Sequence, residues 1–200
     1  MDQPVMIKDG VYWIGALDPG LVVFDIVIPT KHGTTYNAYL VRGEKIAVIE
    51  TVKSYCVDGF ISKIRSLVRP EDIDYIIINH TEPDHSGGLI RLMELAPNAI
   101  PVFSRGARTF VKNILHKEFD YKEVKAGDSI DLGGKVLKFI SAPFLHWPDT
   151  MFTYLETDKI LFPCDAFGSH YCSDKRFNDE LGSKEDAFAA YGFYYDTILR

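Results

Sequence analysis

The chain has 200 residues and a net charge of −6, with 46% hydrophobic and 25% charged residues, the balance of a globular protein able to bury one sizeable core. The acidic balance argues against nonspecific nucleic-acid binding, which relies on Lys and Arg to displace counterions, and no apolar run reaches the roughly 18 residues of a membrane-spanning helix. Cys56, Cys164 and Cys172 form no CxxC pair, and Met1 to Pro4 carries no basic-then-apolar leader. Both features point to reduced thiols in a cytoplasmic protein.

Along the chain, Val11 to Gly15 is expected as a first strand, and Leu21 to Ile28 as a second, stopped by Pro29. Tyr36 to Val41 and Lys45 to Ile49 predict a hairpin across Arg42-Gly43-Glu44. Ser54 to Val68 sets Phe60, Ile61, Ile64, Leu67 and Val68 at helical spacing, and Pro70 ends it. Tyr75 to Ile78 reads as a buried strand, Leu89 to Leu95 as a helix, Ile100 to Phe103 as a strand and Arg105 to Leu115 as a helix. Strands follow at Val136 to Ile140, Met151 to Leu155 and Ile160 to Phe162, then an amphipathic helix from Lys184 to Leu199. Hairpins first, then strands alternating with helices, predict an α/β layered fold with mixed sheets. No repeat, low-complexity tract or interdomain linker stands out. The last helix reaches Arg200 without a cap or a Gly stop, which suggests a truncated chain.

The run His80-Thr81-Glu82-Pro83-Asp84-His85 holds four side chains able to bind metal, just past the strand Tyr75 to Ile78. Two further candidates lie far along the chain. His146 sits in Leu145-His146-Trp147-Pro148-Asp149, between two predicted strands, and Asp165 lies just beyond Ile160 to Phe162. Three imidazoles and three carboxylates exceed the needs of one tetrahedral zinc. Nitrogen with several hard oxygens suits iron or manganese. Six ligands suggest two metals with one carboxylate bridging, and Asp165, at a second strand end, could reach both. Taken singly, Asp84 reads as a turn residue and Ser86-Gly87-Gly88 as a loop; gathered at strand ends, the set reads as a site. His32 and His116 read as surface residues. His170 reads equally as core packing or as a neighbour of the ligands.

At these residues the chain resembles the metallo-β-lactamase superfamily, whose usual motif is His-x-His-x-Asp-His. Glu82 stands where that motif has its second His. This substitution, with Ser86-Gly87-Gly88 following, resembles the flavodiiron proteins (A-type flavoproteins). The stretches Gly33-Thr34-Thr35-Tyr36-Asn37-Ala38-Tyr39-Leu40 and Leu145 to Asp149 extend the resemblance over nearly the whole chain.

The resemblance implies an αββα sandwich of two mixed sheets between helices, with residues 1–200 forming a diiron domain incomplete at its C-terminus. It implies that His80, Glu82 and His146 bind one iron, that Asp84 and His85 bind the other, and that Asp165 bridges them. A seventh ligand, a His about sixty residues past the bridging Asp, and a flavodoxin-like domain holding FMN are expected downstream of Arg200. Some relatives have His where this chain has Asp25, to which no role is assigned. Tyr194 matches a tyrosine beside the site in some relatives, although it reads equally well as a core aromatic. Phe144 and Trp147 either exclude water beside His146 or simply pack.

The implied activity is reduction of O2 to water, of NO to nitrous oxide, or both, with electrons arriving through FMN. The implied partners are a second copy in a head-to-tail homodimer and a donor such as rubredoxin, a flavin reductase or a reduced deazaflavin. The alternative is a zinc-dependent hydrolase of the same superfamily, against which Glu82 argues. A third reading is a metal-free binding module.

Overall fold

The computed structural model describes residues 3–199. Its strands begin with β1 (Val5–Lys8), β2 (Val11–Trp13), β3 (Ala16–Asp18), β4 (Val23–Phe24), β5 (Ile28–Pro29), β6 (Thr34–Tyr36), β7 (Tyr39–Arg42) and β8 (Ile46–Ile49). Helix α1 (Val57–Leu67), strand β9 (Tyr75–Ile78), helices α2 (Pro83–Ser86) and α3 (Leu89–Leu95), strand β10 (Ile100–Ser104) and helix α4 (Arg108–Leu115) follow. Strands β11 (Lys122–Val124), β12 (Ser129–Asp131), β13 (Val136–Ser141), β14 (Met151–Leu155) and β15 (Ile160–Phe162) precede helix α5 (Lys184–Tyr194).

Seven strands form one sheet in the order β1-β2-β7-β8-β9-β10-β11. It is antiparallel from β1 to β8 and parallel from β8 to β11. Strands β12 to β15 form a second, antiparallel sheet. The two pack face to face through Val41, Ile49 and Ile77 on one side and Leu137, Phe139, Leu155 and Phe162 on the other. On the outer face of the larger sheet, Leu40, Val48 and Ile76 meet Phe60 and Ile64 of α1, Leu92 of α3 and Val111 of α4. Covered on both faces, the central strand β9 carries an uninterrupted run of buried isoleucines. The predicted sandwich is borne out, with the mixed pairing carried by the larger sheet.

Leu21 to Ile28 is not one strand. Asp25 and Ile26 take positive φ and turn the chain back on itself, so β4 and β5 form a two-stranded ribbon. Val22, Ile26 and Val27 are exposed, while Phe24 is buried against the His170 ring. Apolar composition imitated a core strand here, although only Phe24 is fully taken into the core, with Leu21 and Ile28 packed partly buried against it. Tyr36 pairs with β3 and not in the predicted hairpin. That hairpin is shorter, running from Tyr39↔Ile49 to Arg42↔Ile46. Strands β1, β3, β6, β11 and β12 went unpredicted because each is three or four residues long and includes polar residues, without the unbroken apolar run that marks the equally short β9 and β15. The last predicted helix ends as α5 at Tyr194 and continues as a π turn, Tyr195–Leu199.

One residue joins the ends of the two sheets. Asn79, fully buried after β9, donates from Nδ2 to the Phe162 carbonyl at 3.0 Å and accepts from Thr153 Oγ1 at 2.7 Å. Its carbonyl accepts the Met151 N–H at 2.8 Å. This seam holds the carboxyl end of β9 against β14 and β15. Asn79→Ala would strand two buried partners, and each such loss costs about 1–3 kcal/mol. The expected destabilisation is about 2–4 kcal/mol in urea unfolding; a loss below about 1 kcal/mol would show that the seam carries no load.

Candidate metal centre

Four side chains of the sequence cluster reach the site because the chain changes structure within six residues. His80 leaves the end of β9. Pro83 then opens a single helical turn, α2, with Asp84 and His85 in it, so the stretch predicted as turn and loop is a short helix. A proline suits that position because its missing N–H has no helical partner there. Ser86 Oγ donates to the carbonyls of Thr81 and Glu82 at 3.0 and 2.9 Å, and Thr51 Oγ1 donates to the His85 carbonyl at 2.6 Å. Gly87 is required by space, since a Cβ there would lie 2.6 Å from the Ser54 nitrogen.

His146 comes from the loop between β13 and β14. That loop closes on itself through Phe144 N–H to the Trp147 carbonyl at 2.8 Å and Trp147 N–H to Thr150 Oγ1 at 3.1 Å. Asp149, almost wholly buried, anchors it from both sides. Its Oδ2 accepts from Thr81 Oγ1 at 2.8 Å, and its carbonyl accepts from Ser104 Oγ at 2.7 Å. Asp165 follows β15, in a turn where the Gly168 N–H bonds its carbonyl at 2.9 Å.

The six predicted ligands meet in two groups. His80 Nε2, Glu82 Oε2, His146 Nε2 and Asp165 Oδ2 form one, with His146 2.8 Å from Glu82 and both imidazoles 3.3 Å from Asp165. Asp84 Oδ2, His85 Nε2 and Asp165 Oδ1 form the other, with His85 2.9 Å from Asp165. Asp165 therefore gives one oxygen to each group. Both His80 nitrogens, Glu82 Oε2 and Asp84 Oδ1 are buried without hydrogen-bond partners. Orphaned buried lone pairs of this kind call for an ion, and this mixture of imidazole and hard oxygen fits two divalent first-row cations.

Without cations the cluster holds protons instead. Burial opposes charge on His80, His85, His146, Glu82 and Asp165, and for each of these mutual pairing outweighs it. His80 and His85 stand well above the usual imidazole range, paired with Asp165 among others. His146 is raised to about 9 by Asp165 and Glu82. Glu82 falls to about 2, held down by His146 and His80, and Asp165 falls well below the carboxylate range. Cys164, beside Asp165, has its thiol pushed up to about 12 by burial, so it is a poor candidate for a thiolate ligand.

Sequence reasoning missed Glu50, at the end of β8. It is 2% exposed, with Oε2 2.7 Å from His85 Nδ1 and 3.4 Å from His80 Nδ1. Its Oε1 accepts the Asn79 N–H at 2.5 Å. Burial alone would raise its pKa; His80 and His85 bring it below the ordinary value. Glu50 thus occupies the Nδ1 side of two imidazoles and leaves Nε2 of each toward the ligand groups. The one sequence signal was an acidic residue ending a buried strand.

Tyr194 is buried, with its ring edge-on to His146 at 6.4 Å and to His170 at 5.4 Å. Trp147 stands edge-on to His80 at 6.4 Å. Phe144 is 73% exposed and does not seal the site. His116 is exposed at the left-handed end of α4. His32 is half-buried against Tyr171, not a free surface residue. Asp25 pairs with Lys53 at 3.3 Å.

A sequence profile described as the ODP family beta lactamase matches residues 34–193. The chain is 46% identical over 197 residues to the flavo-diiron protein FprA2 of Clostridium acetobutylicum, covering 98% of this chain and 49% of that protein. It is 43% identical to a nitric oxide reductase of Moorella thermoacetica, over 100% of this chain and 50% of that one. Among solved structures, the rubredoxin oxygen:oxidoreductase of Desulfovibrio gigas superposes with a TM-score of 0.95 at 32% identity, over 98% of this chain and 49% of that one. The chain spans about half the length of the relatives it matches.

Two outcomes follow from this geometry. Glu50→Gln removes the charge behind His80 and His85 and is expected to weaken metal binding by roughly 10–100-fold, measured by chelator competition; an unchanged affinity would remove Glu50 from the site. The raised imidazoles must also lose protons before Nε2 can bind a cation. Apparent metal affinity is therefore expected to keep rising as the pH climbs to about 9, the value for His146. A competition series that flattens just above the ordinary imidazole value, about 6.5, would contradict the raised state.

Proposed function

From the premise that this chain belongs to the ODP family beta lactamase group, with relatives bearing flavodiiron names, we propose that it is the diiron part of a flavodiiron oxidoreductase. The reaction is reduction of O2 to two waters with four electrons and four protons, or of two NO to nitrous oxide and one water with two electrons and two protons. The observation that carries this reading is Asp165, whose two oxygens divide between two ligand groups. Glu82, where the superfamily's usual motif has His, adds a hard anionic donor that favours redox-active iron over redox-silent zinc.

In this reading His80, Glu82 and His146 would hold one iron, Asp84 and His85 would hold the other, and Asp165 would serve both. An iron pair bound there would supply reducing equivalents to a small diatomic molecule. The chain's own residues fix the ligands and shape the pocket. Glu50 braces His80 and His85 from behind, and Asp149 ties the His146 loop to Thr81, which keeps ligands from different strand ends in register. Trp147 and Tyr194 set aromatic edges against His80 and His146 and limit water there.

The same reading assigns FMN to a separate flavodoxin-like domain, with this chain supplying the metallo-β-lactamase-like part. That flavin would supply the electrons, in a head-to-tail homodimer. The donor is a rubredoxin, a flavin reductase or a reduced deazaflavin, and the setting is cytoplasmic. The names of two relatives, a nitric oxide reductase and a rubredoxin oxygen:oxidoreductase, support both substrates. No helix among the described residues is long and apolar enough to cross a membrane.

The test is composition. Protein from the complete reading frame, purified without oxygen, is expected to hold about two irons and one FMN per chain, and to consume O2 or NO when its flavin is reduced. Zinc without flavin would overturn the proposal.

A further inference from the structure

His170 belongs to none of the clusters of potential ligands, but its ring touches Tyr194, which stands edge-on to His146, and the charges of Asp165, Asp84 and Glu82 act on it. Its ring lies 4.4 Å from Phe24 and 5.4 Å from Tyr194, edge-on to the latter. Nδ1 is 3.1 Å from the hydroxyl of Thr34, a buried residue of β6. Nε2 is buried and has no partner, and the buried Tyr194 hydroxyl has none either. Buried polar atoms in a finished core find partners. Two orphans on touching rings, one ring edge-on to His146, mark a place prepared for something polar.

The charge state points the same way. Burial holds the His170 imidazole below its usual pKa, although Asp165, Asp84 and Glu82 all act to raise it. The ring is therefore neutral near pH 7, with one donor and one acceptor nitrogen. The Thr34 hydroxyl is in hydrogen-bond contact with Nδ1; acting as donor there, it would leave the ring proton on Nε2. Burial also keeps the Tyr194 phenol protonated. The result is two neutral donors beside the metal groups. Neutral donors do not compete with the imidazoles for the cations, and they can stabilise an electron-rich small ligand.

We propose that His170, set in its tautomer by Thr34, donates a hydrogen bond from Nε2 to a small ligand held at the metal pair, alongside Tyr194. This rests on the diiron reading above and adds a residue to it. The ligand class is a diatomic or triatomic molecule with a hydrogen-bond-accepting end.

The probe is azide, titrated into the oxidised, iron-loaded protein from the complete reading frame and followed by its charge-transfer absorption. His170→Phe keeps a ring against Phe24 and Tyr194 but removes the donor, and is expected to raise the azide Kd about tenfold at unchanged iron content. His170→Gln, which can still offer an N–H, is expected to stay within about threefold of the native value. Thr34→Val leaves the imidazole in place with its tautomer unset and is expected to weaken azide several-fold. It carries the test if the Phe variant does not fold. An azide Kd unchanged in both His170→Phe and Thr34→Val, with iron intact, overturns the role of His170 and leaves the diiron reading standing. A native protein with no iron and no azide band overturns both.

Discussion

The site depends on one constraint: four carboxylates and three imidazoles share a region largely withdrawn from water. Glu50, Glu82, Asp84, His80 and His85 are each 5% exposed or less, and Asp165 and His146 complete the set. Charges taken from water at this density are tolerable only when paired. Pairing here is local and reciprocal, each imidazole within reach of at least two carboxylates. Protons serve as the pairing charge until cations displace them. That exchange accounts for imidazoles raised and carboxylates lowered in one place.

Holding such a cluster requires a rigid frame, and the fold supplies it at strand ends. Glu50 ends β8 and His80 follows β9, neighbouring parallel strands in register. His146 and Asp165 come from loops of the other sheet. No single element spans the site, so the seam between the sheets carries the geometry. Asn79 makes that seam with three hydrogen bonds, and Asp149 adds a second tie from the His146 loop to Thr81 and Ser104. Both act through buried polar atoms, whose loss costs more than the bond itself because the partner is left unsatisfied.

This division explains what the sequence made legible. The candidate ligands were readable because metal chemistry restricts residue type, and His80 to His85 concentrates four of them within six residues. Strand β9 and helix α1 were readable because burial on two faces, or on one helical face, leaves a long periodic trace. Glu50 and Asp149 were not singled out because a lone acidic residue at a strand end or in a loop is ordinary, and its role appears only when a distant imidazole or hydroxyl meets it. The ribbon from Leu21 to Ile28 misled for the opposite reason: its composition is that of a core strand, but Asp25 and Ile26 turn it outward. His170 stood between two readings because the deciding fact, an unpartnered Nε2, belongs to the surroundings and not to the residue.

Charge matching gives the site its final character. The four carboxylates carry four negative charges, which two divalent cations would balance in a pocket of low dielectric. A pair of divalent ions is therefore the state the protein itself compensates. Oxidation of such a pair would leave net positive charge among buried groups, where each unmatched charge is costly, and a small electron-rich ligand would relieve it. The neutral donors at His170 and Tyr194 suit that task. Cationic donors in their place would add to the positive excess, and further carboxylates would repel the ligand. Glu82 belongs to the same balance: a neutral imidazole at that position would leave three carboxylates against two divalent ions, and the added unmatched positive charge would weigh more on the oxidised pair than on the reduced one.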